Sequence, residues 1–219
     1  MLKRSITNEL AQNFINYLNE LDKEKNNKNY NEALNLIDTA FKDIFKLDGK
    51  FFSSFSTKNL IDMASTKGGI SIDKCVMMAK LLEEEAIILE AQNKLDEAFY
   101  INQKSLDIFL YAYMDENSTC TLDKYFDDIQ PIIDNVYEYK LPVSLETKIR
   151  DYYVISNKYS NADNVVYDIL EQNDYNENLI KDSLDFYNKI LLKENSILES
   201  GGITKSEIKE SINELKSRL

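Results

Sequence analysis

Apolar residues recur at three- and four-residue intervals along most of the chain, which is the spacing of one helix face. Leu10, Phe14, Leu18 and Leu21 predict a first helix over about 7–25. The polar run Asn26-Asn27-Lys28-Asn29 breaks it. Ala33, Ile37, Ala40, Ile44 and Phe45 mark a second helix from Tyr30, and its small residues allow a partner helix to approach closely. Cys75, Met78, Ala79, Leu82, Ala86 and Leu89 predict a long helix over about 72–93, with Ser71 as its cap. Across the turn Asn93-Lys94, Ala98, Ile101, Leu106, Phe109 and Leu110 predict its partner over about 95–114. A third pair is expected over 145–158 and 161–172.

The intervening segments read less regularly. Leu47 to Phe55 carries Phe51, Phe52 and Phe55 without periodicity, which suggests a connection packed onto the protein. A short helix follows to about Ser65 and is closed by Gly68-Gly69. Asp115-Glu116-Asn117-Ser118-Thr119 is polar and aperiodic, so a sub-boundary is placed at 115–120 within a single 1–219 domain. A helix over about 122–139 should kink or break at Pro131. Leu141-Pro142-Val143 reads as a turn, with Ser144 capping the next helix. One helix is expected over 176–200, ended by Gly201-Gly202. Thr204 and Glu207 then form a capping box for a last helix bearing Ile208, Ile212, Leu215 and Leu219. That helix either caps the last hairpin or seams a homodimer.

The three pairs share a local signature. Tyr30-Asn31-Glu32-Ala33, Leu95-Asp96-Glu97-Ala98 and Tyr159-Ser160-Asn161-Ala162 each open a second helix, and their alanines lie 65 and 64 residues apart. That distance is about twice the 34-residue period of a helix-turn-helix solenoid. Ala33-Ile37-Ala40, Ala98-Asn102-Ser105 and Ala162-Val166-Ile169 resemble the second-helix pattern of tetratricopeptide repeats, although the Trp and Gly of that pattern are missing. The resemblance implies an all-α, tetratricopeptide-like stack of antiparallel helical hairpins, about ten helices in all. A second resemblance covers residues 29–113 and rests on Phe55-Ser56-Thr57-Lys58-Asn59-Leu60-Ile61, Gly68-Gly69 with Lys74, Ala79-Lys80-Leu81-Leu82-Glu83-Glu84-Glu85 and Asp96-Glu97-Ala98. This stretch is similar to an uncharacterised clostridial family of small helical proteins, which implies no activity.

Composition narrows the functional classes. Five Gly and two Pro in 219 residues suit helices rather than turn-rich sheets. The net charge of −12 repels nucleic acid and anionic membranes, and favours a basic protein or peptide as partner. The chain has no His, which removes the common triads and the commonest zinc ligand. Cys75 and Cys120 lack C-x-x-C spacing and read as free thiols. Polar residues directly after Lys3-Arg4 argue against a signal peptide, and no apolar run reaches membrane-span length, so a cytoplasmic location is expected.

No residue reads as catalytic, cofactor-binding or metal-ligating, and no cofactor is expected. Glu83-Glu84-Glu85 point about 100° apart around a helix and are expected on a solvated face. Asp127-Asp128 resembles an Asp-rich magnesium motif, but Pro131 stands where a third Asp is needed. Gly201-Gly202 with Lys205-Ser206 lacks the spacing of a phosphate loop and reads as a helix end. Tyr152, Tyr153, Tyr159 and Tyr167 cluster on the third hairpin, either as packing residues or as an aromatic floor for a peptide. The expected function is a non-catalytic scaffold that binds a protein or peptide. The alternatives are a carboxylate-based all-α enzyme and a homo-oligomer built through the last helix.

Overall fold

The computed structural model describes residues 2–66, 69–115 and 119–219. Gly68 of the expected helix stop, and Glu116, Asn117 and Ser118 of the polar stretch, lie outside the described residues. The protein is all-α. Among the described residues there are twelve α-helices, one 3-10 segment and a ribbon of two two-residue strands. The chain divides into two compact units, Met1–Glu138 and Tyr139–Leu219.

In the first unit, α1 (Leu2–Asn26) and α2 (Tyr30–Phe45) form one hairpin, and α5 (Ile72–Ala91) and α6 (Leu95–Tyr113) form another. The face of α2 packs on α5. The short helices α3 (Gly49–Ser54) and α4 (Thr57–Met63) lie between the hairpins in sequence, and Ser65–Thr66 pairs with Gly69–Ile70. Residues 47–55 thus contain a helix where a non-periodic connection was expected. Of its phenylalanines, Phe52 is fully buried and stacks on Phe41 at 4.0 Å, while Phe51 stays exposed. After α6, a 3-10 segment (Asp123–Asp128) leads into α7 (Ile129–Val136). Pro131 sits in the first turn of α7, where a missing amide costs nothing, so the break falls before it. This segment belongs to the first unit because Asp73 of α5 accepts the amide of Thr121 at 2.7 Å and its hydroxyl at 3.1 Å, and α7 packs on α6. The division therefore follows Glu138 rather than the polar stretch at 115–120.

The second unit holds the hairpin of α8 (Val143–Ile155) and α9 (Tyr159–Gln172), followed by α10 (Glu177–Ile190), α11 (Asn195–Ser200) and α12 (Lys205–Ser217). Pro142, not Ser144, precedes α8, and its carbonyl accepts the amides of Leu145 and Glu146. The helix expected over 176–200 is two helices. The break at 191–194 returns the chain so that Gly201 lies against the start of α9, where its carbonyl accepts the Ser160 amide at 3.0 Å. A Cβ on Gly201 would stand 2.4 Å from the carbonyl oxygen of Asn157, so no other residue fits. Ile208, Ile212 and Leu215 of α12 are buried within this unit, with α12 packed on α10; Leu219 is exposed.

The three hairpins turn in the same way. Lys28, Asn93 and Asn157 all adopt the left-handed conformation, with φ of 57°, 60° and 57°. The next residue's amide then reaches back five residues, Asn29 to Glu24, Lys94 to Leu89 and Lys158 to Tyr153. This double turn satisfies the helix-end carbonyls and reverses the chain within three residues. Ala33, Ala98 and Ala162, five residues past each left-handed position, are all buried. The repeated signature thus encodes a repeated turn. Among the described residues, no helix is long and apolar enough to cross a membrane.

Candidate functional site

An acidic groove of about 520 Å³ runs along the second unit between α9 and α12. Four carboxylates line it, Asp163 from α9 and Glu207, Glu210 and Glu214 from α12, and among the described residues no lysine or arginine does. Helical spacing puts Glu207, Glu210 and Glu214 on one face of α12. The opposite face carries Ile208, Ile212 and Leu215 into the core, which fixes the carboxylate face outward. The N-terminus of α12 is held by the capping box, in which the Thr204 hydroxyl accepts the Glu207 amide and Glu207 accepts the Thr204 amide at 2.7 Å. That box holds the Glu207 carboxyl below its usual range, chiefly through the Thr204 hydroxyl and amide.

The α9 wall is less exposed. Burial raises the Asp163 carboxyl, opposed by the hydroxyl of Tyr187, which donates to it at 2.6 Å. Tyr167 is half-buried and donates to Glu214 at 3.3 Å across the groove. Glu214 is also ion-paired with Arg218, accepting from its guanidinium at 3.0 Å. With hydroxyls at Ser160, Tyr167 and Ser211, the groove is a hydrogen-bonding, negatively charged surface without apolar depth. It can hold cationic groups.

Of the four tyrosines expected together, only Tyr167 lines this groove. Tyr152, Tyr153 and Tyr159 are buried, Tyr159 to 1% exposure, and serve packing. The first two rings lie 5.4 Å apart within the hairpin, and the Tyr159 hydroxyl bonds Asn157 in the turn. Their burial leaves no exposed ring face among these three, and Tyr159 packs against Gly201.

The expected solvated face at Glu83-Glu84-Glu85 is corrected as well. Glu83 and Glu84 are buried and ion-paired. The ammonium of Lys80 lies 2.8 Å from Glu83, 3.2 Å from Glu84 and 3.0 Å from Asp128, and Lys25 of α1 pairs with Glu84. The reason is that α5 is apolar nearly all round and contacts α1, α2, α6 and the 3-10 segment, so even its charged residues are covered. Burial pushes Glu83 up to about 7, against the pull of Lys80. Burial would lower Lys80, but Glu83, Glu84 and Asp128 together hold it raised. Asp128 is thereby a structural partner. Among the described residues, no group of three or more acidic or cysteine side chains is placed to hold a metal ion. Cys75 and Cys120 are free, and burial raises both thiols to about 12.

The sequence profile described as "Family of unknown function (DUF6483)" matches residues 38–219, so the chain belongs to that family. The match includes the carboxy-terminal half, beyond the 29–113 stretch that carried the resemblance. No curated protein and no solved structure matches the chain.

Proposed function

We propose that this member of a family of unknown function is a non-catalytic scaffold whose α9–α12 groove holds a basic segment of a partner protein. The observation that carries this reading is the set of four carboxylates on facing walls, with hydroxyls between them and, among the described residues, no lysine or arginine in the lining, Arg218 pairing with Glu214 alone. Lysine or arginine side chains would supply the missing charge, and Tyr167 offers a ring for cation–π contact. The chain's charge of −12 adds long-range attraction for such a partner. The hairpins are, on this reading, tetratricopeptide-like units, supported by their shared left-handed turn and buried alanines, and the setting proposed for them is reducing and cytoplasmic.

Isothermal titration with a Lys/Arg-rich peptide tests the proposal. Binding should weaken steadily as salt rises, since exposed charges are screened beyond about 8 Å at physiological ionic strength. The double variant Glu210→Gln with Glu214→Gln should lose about tenfold in affinity, near 1.4 kcal/mol. Affinity that is indifferent to salt and to both substitutions would refute the groove as the binding site.

A further inference from the structure

A second hollow, of about 240 Å³, lies in the second unit between α8 and α10. Asp151, Val154 and Ile155 follow helical spacing on α8, and Asp182, Phe186 and Ile190 do so on α10, so two helix faces meet there. Its floor is the Phe186 ring, with the guanidinium of buried Arg150 4.8 Å above it. Arg150 is shared by two carboxylates, Asp151 at 3.0 Å and Asp182 at 2.8 Å. Each engages the guanidinium through one oxygen and keeps the other for a further donor. Val154, Ile155 and Ile190 form the apolar wall, and Ile155 is exposed.

Two residues past Ile190, Leu192 stands at the turn between α10 and α11 and is 86% exposed, the barest large apolar side chain among the described residues. Lys193 follows it, and Lys189 lines the hollow. Among the described residues, neither ammonium enters an ion pair or a hydrogen bond. One surface thus carries an apolar knob, an apolar hole, two unpaired cations and two carboxylates with spare oxygens.

The hole, at about 240 Å³, falls below the roughly 300–1,000 Å³ of small-molecule sites and suits one aliphatic side chain. A small molecule or a foreign peptide filling it would leave Leu192 in water. A second copy of the chain covers both features at once, because a two-fold axis carries each knob to the other copy's hole. The same axis sets Lys189 and Lys193 of one copy against Asp151 and Asp182 of the other, which is charge complementarity within a single patch. We infer that the chain forms a two-fold homodimer in which Leu192 of each copy inserts into the α8–α10 hollow of the other. Ile208, Ile212 and Leu215 of α12 are buried in their own unit, so this contact is not a seam of the last helices. It shares no lining residue with the α9–α12 groove and does not depend on what that groove binds.

Sedimentation velocity on the full chain tests the inference. The mass should rise from that of one chain to that of two as concentration rises. Leu192→Asp should weaken the dimer about a hundredfold, since a symmetric contact loses both knobs at once. A side chain so exposed leaves the fold unaltered when replaced, which an unchanged melting temperature confirms. Lys193→Glu should weaken the dimer about fivefold and reduce its sensitivity to salt. The Glu210→Gln/Glu214→Gln groove variant should dimerise as the wild type does. To locate the hole, chains with p-benzoylphenylalanine in place of Leu192 are mixed with isotopically labelled wild-type chains and irradiated. The cross-links should join the two kinds of chain and fall within residues 150–155 or 182–190 of the labelled copy. A single-chain mass at every concentration, a dimer that Leu192→Asp leaves intact, or cross-links that stay within one chain or fall outside those residues would each overturn the inference.

Discussion

Gly201 shows how one residue fixes a neighbouring element. Its backbone lies where a side chain would meet Asn157 and Tyr159, and its carbonyl satisfies one of the free amides that begin α9. Gly201→Ala should therefore lower stability by about 1–3 kcal/mol, the usual cost of overpacking a tight contact. Chemical denaturation of the variant reads this directly, and an unchanged midpoint would mean that the turn shifts without cost. Glu146 is a second residue with a measurable signature. It is 1% exposed, one carboxyl oxygen lacks a hydrogen-bond partner, and burial pushes it up to about 7, with Asp168 adding and Lys140 opposing. A carboxyl whose folded value lies above its unfolded value stabilises the fold at low pH. That contribution is fully present below the unfolded value, near 4.5, and is lost as pH rises through about 7. Glu146→Gln, which stays neutral, should be more stable than wild type by about 3 kcal/mol at pH 8 and nearly equal to it at pH 4. Melting curves at the two pH values check the sign.

At the scale of elements, α5 organises the first unit, and its ion cluster is where pattern and structure part. Periodicity located α5 and α6 to within two residues at each end, because the apolar stripe and the Asn93 turn are local features. The burial of Glu83 and Glu84 was not legible, because it depends on α1 and the 3-10 segment closing over a helix face from far along the chain. A hint lay in α5 itself, whose apolar residues Val76, Met77 and Leu81 fall off the main stripe and call for cover on other sides. The division of residues 176–200 into α10 and α11 was hidden for a similar reason. No Pro or Gly marks the break; what requires it is the contact of Gly201 with the start of α9. For the cluster, Lys80→Met should cost about 3 kcal/mol, since it leaves buried Glu83 and half-buried Asp128 without their cation beside Glu84. Unfolding monitored by circular dichroism would show it, and the loss should shrink toward acid pH as Glu83 takes up a proton.

At the scale of the molecule, the all-α class, the three hairpins and their turns were legible in the sequence, since each depends on neighbours close in the chain. The site was only partly legible. Tyr167 was singled out, but its groove partners Asp163, Glu207, Glu210 and Glu214 come from two helices some 45 residues apart, and only folding sets them opposite one another. The i, i+3 and i+4 spacing of the three glutamates was available in the sequence as a signal that α12 turns an acidic face outward. The proposed scaffold role rests on that face meeting a cationic partner. The most direct measurement follows the backbone amide signals of the labelled protein by nuclear magnetic resonance while a Lys/Arg-rich peptide is added. The largest saturable shifts should fall on Ser160, Asp163, Tyr167, Glu207, Glu210 and Glu214. Shifts that spread evenly over the acidic surface, or that leave these residues unmoved, would contradict the account.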